Sequence, residues 1–352
     1  MTRTIRIRRL APVLLVAAMV AGACNGTAPA AQNGEAGSEQ ATLRLGYFPN
    51  ITHATAIVGV EKGVFNKSLG TDVTLETATF NSGPEAVEAL FSDAIDASFV
   101  GPNPAINAWQ QSQGEAIRIV SGATSGGAFL IVRKGIDAAE DLCGKTLSSP
   151  DLGNTQDVAL RAWLKDQGLE TDLEGGGDVS IVPQENAQIL ETFRSGDIDG
   201  AWMPEPWGTR LIDEGGGKVL VDERDLWAGG EYVTTHLIVA STFLDEHPDV
   251  IKKLLEGVVA ANDFVNDNPD EAKDIVNDGI EALTGARMPD ETMDKAWENL
   301  VFTLDPIASS LRKSAEDAVE VGLLEPVDLD GIYDLSLLNE VLVEAGRAEV
   351  SE

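Results

Sequence analysis

The chain has 352 residues, of which 43% are hydrophobic and 5% aromatic, so it is long enough for two ordinary domains with buried cores. Its 58 acidic and 25 basic residues give a net charge of −33. A surface of this sign repels nucleic acid and anionic lipid, and the composition therefore argues against both as partners of the folded part.

The amino terminus has the composition of a bacterial lipoprotein signal. Residues 1–9 carry four arginines and no acid, an apolar run too short to span a bilayer follows, and small residues precede Cys24. We predict a signal peptide at 1–23, a lipid on Cys24, and a flexible tether rich in Ala and Gly at 24–41. The alternative is an ordinary secretory signal cut nearby, because Ala21 stands where leucine is more usual.

Strand and helix patterns alternate from residue 42 to about residue 240, which predicts an α/β fold with βαβ units and a mainly parallel sheet. The predicted strands are Thr42–Gly46, Val73–Thr79, Ile95–Val100, Ala116–Ser121, Ala128–Val132, Gly144–Ser148, Val179–Val182, Ile198–Trp202 and Val233–Ala240. The helices predicted among them are Ile51–Phe65, Glu85–Phe91, about 157–167 and Asn186–Phe193. Beyond them the pattern is helical and is expected to pack against the first lobe: Pro248–Asn266, Pro269–Leu283, Asp290–Leu300, Ser309–Val321 and Asp334–Ala345.

One pattern occurs twice, as FSDAIDASFVGPNPAINAW at 91–109 and as FRSGDIDGAWMPEPW at 193–207. In each copy a buried strand runs into a Pro-rich break and a helix begins. Free backbone N–H groups and a positive dipole end make such a helix start a site for small ligands. Two such edges predict two lobes with a cleft between them. We assign 42–130 with 235–352 to lobe 1 and 131–234 to lobe 2.

The candidate ligand-binding residues lie in the loops at these strand ends and helix starts, where side chains and free N–H groups can face a cleft. At each position there is a purely structural alternative, which is helix capping, a turn or, for the tryptophan, core packing. The residues are Asn50, Thr52, His53, Gly101, Pro102, Asn103, Gly153, Asn154, Thr155, Gln156, Trp202 and Glu205.

No arrangement of catalytic residues is visible in the sequence. The three histidines, His53, His236 and His247, do not accompany a G-x-S-x-G elbow or pair at metal-ligand spacing, and there is no phosphate-binding or dinucleotide-binding glycine motif. Without the signal, Cys143 is the one thiol left, and we expect it to pack as a small apolar residue. We therefore predict a binding protein with no catalytic residue, no metal and no cofactor.

Five segments, at 43–65, 80–90, 95–109, 141–157 and 193–207, together resemble the solute-binding proteins of ABC importers for nitrate, aliphatic sulfonates and taurine. The resemblance implies a periplasmic-binding-protein-like type II fold, in which two α/β lobes joined by a two-strand hinge close on a solute and deliver it to permease and ATPase subunits. The pocket positions that it implies are Asn50, Thr52, His53, Gly101, Asn103, Gly122, Thr155 and Glu205.

The resemblance favours a small sulfonate-like ligand, either an alkanesulfonate or taurine. Nitrate and a thiamine pyrimidine precursor stay open as ligands, because 49–53 also resembles the precursor binders, and Glu205 would suit an aminated solute. An enzyme on the same fold, built around His53, and a structural surface protein are the alternatives of another class. The expected location is the outer face of the cell membrane, where the protein would be a lipid-anchored monomer.

Overall fold

The computed structural model describes residues 41–352, so the predicted signal peptide, Cys24 and nearly all of the tether lie outside the described residues. The strands are β1 Ala41–Tyr47, β2 Val73–Thr79, β3 Ala97–Val100, β4 Ile117–Gly126, β5 Ala128–Val132, β6 Thr146–Ser148, β7 Ser180–Ile181, β8 Gly200–Pro204, β9 Lys218–Asp222, β10 Val233–Ala240 and β11 Leu300–Phe302. The α-helices are α1 Ala54–Glu61, α2 Val64–Leu69, α3 Gly83–Phe91, α4 Pro102–Gln111, α5 Thr155–Asp166, α6 Asn186–Ser195, α7 Trp207–Asp213, α8 Ser241–Glu246, α9 Pro248–Asp267, α10 Pro269–Thr284, α11 Asp290–Trp297, α12 Ala308–Glu320 and α13 Ser336–Glu344.

The strands form two sheets, one in each lobe. The first has the order β11-β4-β10-β3-β1-β2 and the second the order β7-β6-β8-β5-β9. The chain passes from the first sheet to the second between β4 and β5, and it returns between β9 and β10. The strand that begins each crossing, β5 or β10, runs antiparallel to both of its neighbours in the sheet, β8 and β9 for β5 and β3 and β4 for β10. The prediction of a mainly parallel sheet is therefore wrong, and parallel pairing among the described strands is limited to β1 with β2 and β3, and β6 with β7 and β8.

The larger hydrophobic core surrounds the first sheet and includes the carboxyl-terminal helices. Leu254 and Val258 of α9, for example, are fully buried in the same core as Leu43 of β1 and Ile57 of α1. This confirms that the helical tail packs against the first lobe. Two smaller clusters lie beside the second sheet, one around Trp202 and one around Phe193.

Some element limits differ from the predictions. The helix predicted from Ile51 to Phe65 is a 3-10 turn followed by α1 and α2, because the chain turns through a left-handed conformation at Gly63 (φ 69°). The predicted helix from Asp290 stops at Trp297, since Leu300–Phe302 pairs with β4 as an edge strand. The sequence analysis missed β9 and α8, and Cys143 is exposed, not packed in the core. None of the helices within 41–352 is long and apolar enough to cross a membrane.

Candidate functional site

Strand ends and helix starts from both lobes meet at a polar cavity of about 30 Å³, which we call the chamber. Gly101, where β3 runs into α4, and Pro204, at the end of β8, both line it, so the two edges with the repeated sequence pattern share one cavity. Gly101 also lies close to the start of α5 in the second lobe, because a Cβ added at Gly101 would come within 2.5 Å of Thr155 Oγ1. The lining residues are Phe48, Asn50, Thr52, His53, Asn81, Gly101, Pro150, Asn154, Thr155, Gln156, Asn186, Pro204, Thr234 and Thr235.

The helices α1, α3, α4, α5 and α6 each begin at or beside the chamber. The chamber-lining residues at or next to these starts are, in the same order, His53, Asn81, Gly101, Thr155 and Asn186. The first turn of an α-helix has backbone N–H groups without intrahelical partners and carries partial positive charge. Several such ends around one small cavity make a site that favours an anion without needing a basic side chain.

Three polar side chains of the chamber have a buried atom with no hydrogen-bond partner within the described chain. They are the hydroxyls of Thr155 and Thr235 and the amide oxygen of Asn186. Thr155 is 6% and Thr235 0% exposed. A buried polar group without a partner costs about 1–3 kcal/mol, so native proteins contain few of them. The two hydroxyls can donate to a ligand, which would supply the missing partner.

The chamber has no fixed side-chain charge, since the residues of 41–352 that line it include no Lys, Arg, Asp or Glu. Burial lowers the pKa of His53 to about 3, so the ring is neutral at ordinary pH. Its Nδ1 accepts a hydrogen bond from the Phe48 N–H at 3.3 Å, and the ring stacks on Phe48 with centroids 4.4 Å apart. A neutral imidazole that accepts through Nδ1 carries its proton on Nε2, which is then available as a donor.

A larger cleft of about 330 Å³ adjoins the chamber, and we call it the outer cleft. Phe48, Asn50, Asn81 and Asn186 line both spaces. The rest of its lining is mostly apolar and comes from both lobes, but it also includes three charged side chains. The apolar members with the largest side chains are Phe80, Leu190, Trp207, Ile280 and Met288, and the charged members are Glu185, Glu191 and Arg210.

A direct hydrogen bond joins the lobes where the chamber meets the outer cleft. Trp207 Nε1 of the second lobe donates to Asn50 Oδ1 of the first lobe at 3.0 Å. The Arg210 guanidinium lies over the Trp207 ring, 4.6 Å from its centroid, and Arg210 Nε donates to Glu214 Oε1 at 2.6 Å. Asn50 thus lines both cavities, and its side chain is also hydrogen-bonded to the second lobe.

A buried ion pair supports the wall of the chamber that α5 provides. Asp157 and Arg161 are 0% and 1% exposed, and Arg161 Nε donates to Asp157 Oδ2 at 3.0 Å. The same carboxylate accepts from Ser149 Oγ at 2.7 Å and from Gly153 N at 3.0 Å. The loop that leads into α5 is therefore tied to the first turn of the helix, directly behind Thr155.

Seven of the thirteen predicted ligand-binding residues line the chamber. They are Asn50, Thr52, His53, Gly101, Asn154, Thr155 and Gln156. Four of these also accept hydrogen bonds from within the chain: the Thr52 carbonyl from Thr124 Oγ1, His53 Nδ1 from Phe48 N, Asn154 Oδ1 from Thr155 N, and Asn50 Oδ1 from Trp207 Nε1. The structure brings these seven positions together from three separate stretches of chain.

The other six predicted residues line neither cavity. Pro102 is the first residue of α4, and Asn103 next to it donates through Nδ2 to the Ser314 carbonyl. Gly122 lies against the 304–305 backbone, with its N–H donating to the Leu304 carbonyl. Gly153 donates to Asp157, as described above.

Trp202 and Glu205 are both fully buried away from the chamber. Trp202 packs in a core cluster, and its Nε1 donates to Glu223 Oε2 at 2.7 Å. Glu205 accepts from the backbone N–H and hydroxyl of Thr209 and from Asn299 Nδ2. Burial raises the pKa of Glu205, although these hydrogen bonds oppose the shift. Its carboxylate is occupied by the chain's own donors, so the structure does not place it opposite a ligand amine.

The sequence analysis missed several residues of both cavities. Asn81 and Asn186 precede or begin helices that follow strands, so the rule that selected Asn50 and Asn154 would also have selected them. Thr234 and Thr235 are strand residues of β10 and had no such signal. The outer-cleft residues between Ile280 and Met288 come from the helical tail, whose sequence pattern indicates only packing.

Comparisons with known proteins identify the family and the fold of the chain. The model of the NMT1-like family matches residues 36–278. The taurine-binding periplasmic protein of Escherichia coli K12 is 32% identical over 215 residues, which cover 61% of this chain and 64% of that protein.

Two solved structures share the fold of this chain. The nitrate-binding protein NrtA of Synechocystis PCC 6803 has a TM-score of 0.71 at 17% identity and covers 87% of this chain and 89% of its own. The alkanesulfonate-binding protein SsuA of Xanthomonas axonopodis pv. citri, bound to MOPS, has a TM-score of 0.67 at 15% identity and covers 82% and 96%. The predicted fold, with two α/β lobes, is confirmed.

Proposed function

The chain belongs to the NMT1-like family, and from this premise we propose that it is the extracytoplasmic solute-binding component of an ABC importer. It captures a small sulfonate-like anion between its two lobes and delivers it to permease and ATPase subunits. The named relative binds taurine and one of the structural neighbours holds MOPS. Both of these ligands carry a sulfonate group.

The observation that carries the proposal is the chamber. Five helix starts and two unpartnered threonine hydroxyls converge on a cavity whose described lining has no acidic or basic side chain apart from the neutral His53. A sulfonate presents three oxygens that accept hydrogen bonds and bears one negative charge, and it suits neutral donors at helix ends. A cation would be repelled by the partial positive charge at these helix starts. Because the surface as a whole is strongly acidic, an anion has to be attracted by the local N–H dipoles of the chamber.

Nitrate is the second candidate, because it also has three acceptor oxygens and one charge, and because the chamber is small. Calorimetric titration of the protein with methanesulfonate, taurine, nitrate and an aminopyrimidine distinguishes the two ligands. We expect saturable heats with the sulfonates and weaker or no heat with nitrate and the aminopyrimidine. Binding of nitrate alone would replace the sulfonate assignment, and no heat with any anion would overturn the proposal.

The Thr155→Val substitution tests the chamber directly. We expect the affinity for methanesulfonate to fall about tenfold or more, because a hydrogen bond to a charged group is worth roughly 1.5–3 kcal/mol. The free energy of unfolding should stay equal or rise, since the variant removes a buried hydroxyl that has no partner within the described chain. Titration calorimetry and urea denaturation measure the two effects.

The matched control for this substitution is Thr155→Ser, which keeps the hydroxyl and should retain most of the affinity. An unchanged affinity in Thr155→Val would show that Oγ1 is not a donor to the ligand. A loss of affinity in proportion to lost stability would show that the residue acts only through the fold.

We propose that the protein binds its solute without altering it chemically. His53 is the titratable side chain among the chamber residues, and its Nδ1 is already occupied by a backbone N–H. A general base would need a pKa near the working pH, which burial of this ring prevents. Recovery of unchanged ligand after prolonged incubation supports binding alone, and a product that disappears in His53→Ala would contradict it.

The proposed membrane anchor is a lipid on Cys24, for which the sequence before this cysteine is the support. We expect Cys24→Ser to release the protein from the membrane fraction in the native host, because the thiol that carries the lipid is lost. Immunoblots of membrane and soluble fractions measure the shift, with Cys143→Ser as the matched cysteine control. Retention of Cys24→Ser in the membrane would exclude this anchor.

A further inference from the structure

The chamber is too small for a whole organic anion. A cavity needs about 10–15 Å³ of space to hold one water molecule, so the chamber, with a volume of about 30 Å³, has room for a group of about two or three waters in size. It can therefore hold the anionic head group of a sulfonate but not the carbon chain attached to it. The carbon chain has to extend into the adjoining space, and the outer cleft shares four lining residues with the chamber.

The outer cleft has the size and surface of a site for an apolar group. Its volume of about 330 Å³ lies within the range of small-molecule pockets. Phe80 and Trp207 provide aromatic surface from the two lobes, and Leu190, Ile280 and Met288 provide aliphatic surface. Such side chains bind apolar groups by removing their surface from water.

One wall of the outer cleft comes from outside the region that the family model matches. The matched region ends at residue 278, whereas Ile280, Thr284, Ala286 and Met288 line the cleft at and beyond the end of α10. Met288 is held in place, because its N–H donates to Asn277 Oδ1 and its carbonyl accepts from Asn277 Nδ2. The shape of the cleft is thus set partly by this chain's own helical tail.

The charges of the outer cleft disfavour a second anionic group. Glu185 and Glu191 line it, and Arg210 is the basic side chain in its described lining. Arg210 is hydrogen-bonded to Glu214, and Glu191 is paired with Arg194 at 3.2 Å. A carboxylate or second sulfonate on the ligand would therefore meet the Glu185 carboxylate, while the guanidinium groups of Arg194 and Arg210 are already engaged. An uncharged tail meets no such repulsion.

We propose that the outer cleft is a tail subsite that selects monoanionic sulfonates carrying a bulky, uncharged apolar group. This inference rests on the proposed function, because it assigns the rest of the ligand whose head group lies in the chamber. It makes taurine and other short sulfonates weak ligands of this protein. An arylsulfonate or a long-chain alkanesulfonate is the class that fills both spaces.

Titration calorimetry with three sulfonates tests the subsite on the unmodified protein. We expect naphthalene-2-sulfonate to bind about 30-fold or more tightly than methanesulfonate, as burial of roughly 100 Å² of additional apolar surface would give. Naphthalene-2,6-disulfonate should bind more weakly than the monosulfonate, by about tenfold, because its second sulfonate would lie near the Glu185 carboxylate. Equal affinities for methanesulfonate and naphthalene-2-sulfonate would overturn the tail subsite and leave the proposed function standing. No binding of any sulfonate would overturn both.

The Ala286→Trp variant separates the two parts of the site. Ala286 is exposed and lines the outer cleft, so an added indole would occupy the tail subsite with little effect on folding. We expect the affinity for naphthalene-2-sulfonate to fall at least tenfold while that for methanesulfonate changes less than twofold. Ala348→Trp is the matched control, because Ala348 is exposed and lies outside both cavities, and it should change neither affinity. Equal losses for both ligands in Ala286→Trp would contradict a separate tail subsite.

Discussion

Replacing Asp157 by asparagine is expected to lower the free energy of unfolding by about 3–5 kcal/mol, the usual cost of breaking a fully buried ion pair. The Arg161 side chain is 1% exposed and would keep its charge without the carboxylate 3.0 Å away. Its remaining hydrogen bond, from Nη1 to the Asp172 carbonyl at 2.8 Å, cannot offset that charge, and Nη2 has no partner within the described chain. Urea denaturation measures the loss.

The same substitution should also weaken ligand binding in the fraction of protein that remains folded. Asp157 Oδ1 accepts from Ser149 Oγ and Oδ2 accepts from Gly153 N, so the carboxylate holds the loop before Asn154 and Thr155. Titration of Asp157→Asn with methanesulfonate at low temperature, where the variant is folded, would show a reduced affinity. Asp157 is in this sense a positioning residue, because it does not line the chamber itself.

The control for this prediction is Glu291→Gln, which breaks an exposed pair on a helix surface. Lys295 and Glu291 are 47% and 81% exposed, and such pairs contribute about 0–1 kcal/mol. A loss in Asp157→Asn no larger than that of the control would contradict the role assigned to the buried pair. A large loss of stability with unchanged affinity would retain the ion pair as a fold element but not as support for the chamber.

The Glu223→Gln variant is expected to gain stability over the unmodified protein as the pH rises. Glu223 is 2% exposed, and burial raises the pKa of its carboxyl to about 7, although the hydrogen bond from Trp202 Nε1 opposes this change. A raised folded-state pKa means that the folded protein binds the proton more tightly than the unfolded chain does. The contribution of the Glu223 carboxyl to the free energy of unfolding is therefore complete below pH 4.5 and is lost as the pH rises through about 7.

Glutamine cannot ionise, and its amide oxygen can still accept from Trp202. The difference in unfolding free energy between Glu223→Gln and the unmodified protein should therefore increase by roughly 3 kcal/mol between pH 5 and pH 9, because each tenfold difference in proton affinity between the folded and unfolded states is worth about 1.4 kcal/mol. Urea denaturation at several pH values measures this difference. Glu231→Gln is the control, because it makes the same substitution at an exposed position. A pH-independent difference for Glu223→Gln would show that the carboxyl is not held neutral by burial.

Much of the local structure could be predicted from the sequence. The strands Val73–Thr79, Ala128–Val132 and Val233–Ala240 have the limits expected, because β-branched and apolar runs bounded by turn residues have strong local preferences. The helix start at Pro102 follows equally local rules, since proline suits a first helical turn. Strand direction was not predictable in this way, because it depends on how the chain returns from the second lobe.

The residues of the candidate site show the same difference between local preferences and long-range contacts. Helix starts such as Asn50, Gly101 and Thr155 could be selected from the sequence as candidates, because the free N–H groups at a helix start follow from the helix itself. Trp202 and Glu205 carry equally polar or aromatic chemistry, but the fold directs them to Glu223, Thr209 and Asn299 instead of the chamber.

What the sequence determined by itself was therefore where many of the helices and strands lie, that the chain has two α/β lobes, and which helix starts are candidates for ligand binding. Only the tertiary structure decided which of those starts share a cavity, and that Ile280 and Met288 of the helical tail line the outer cleft beside it. The physical reason is distance along the chain. Capping and periodicity act over a few residues, whereas a cavity wall is formed by contacts between segments far apart in the sequence, which no local pattern records.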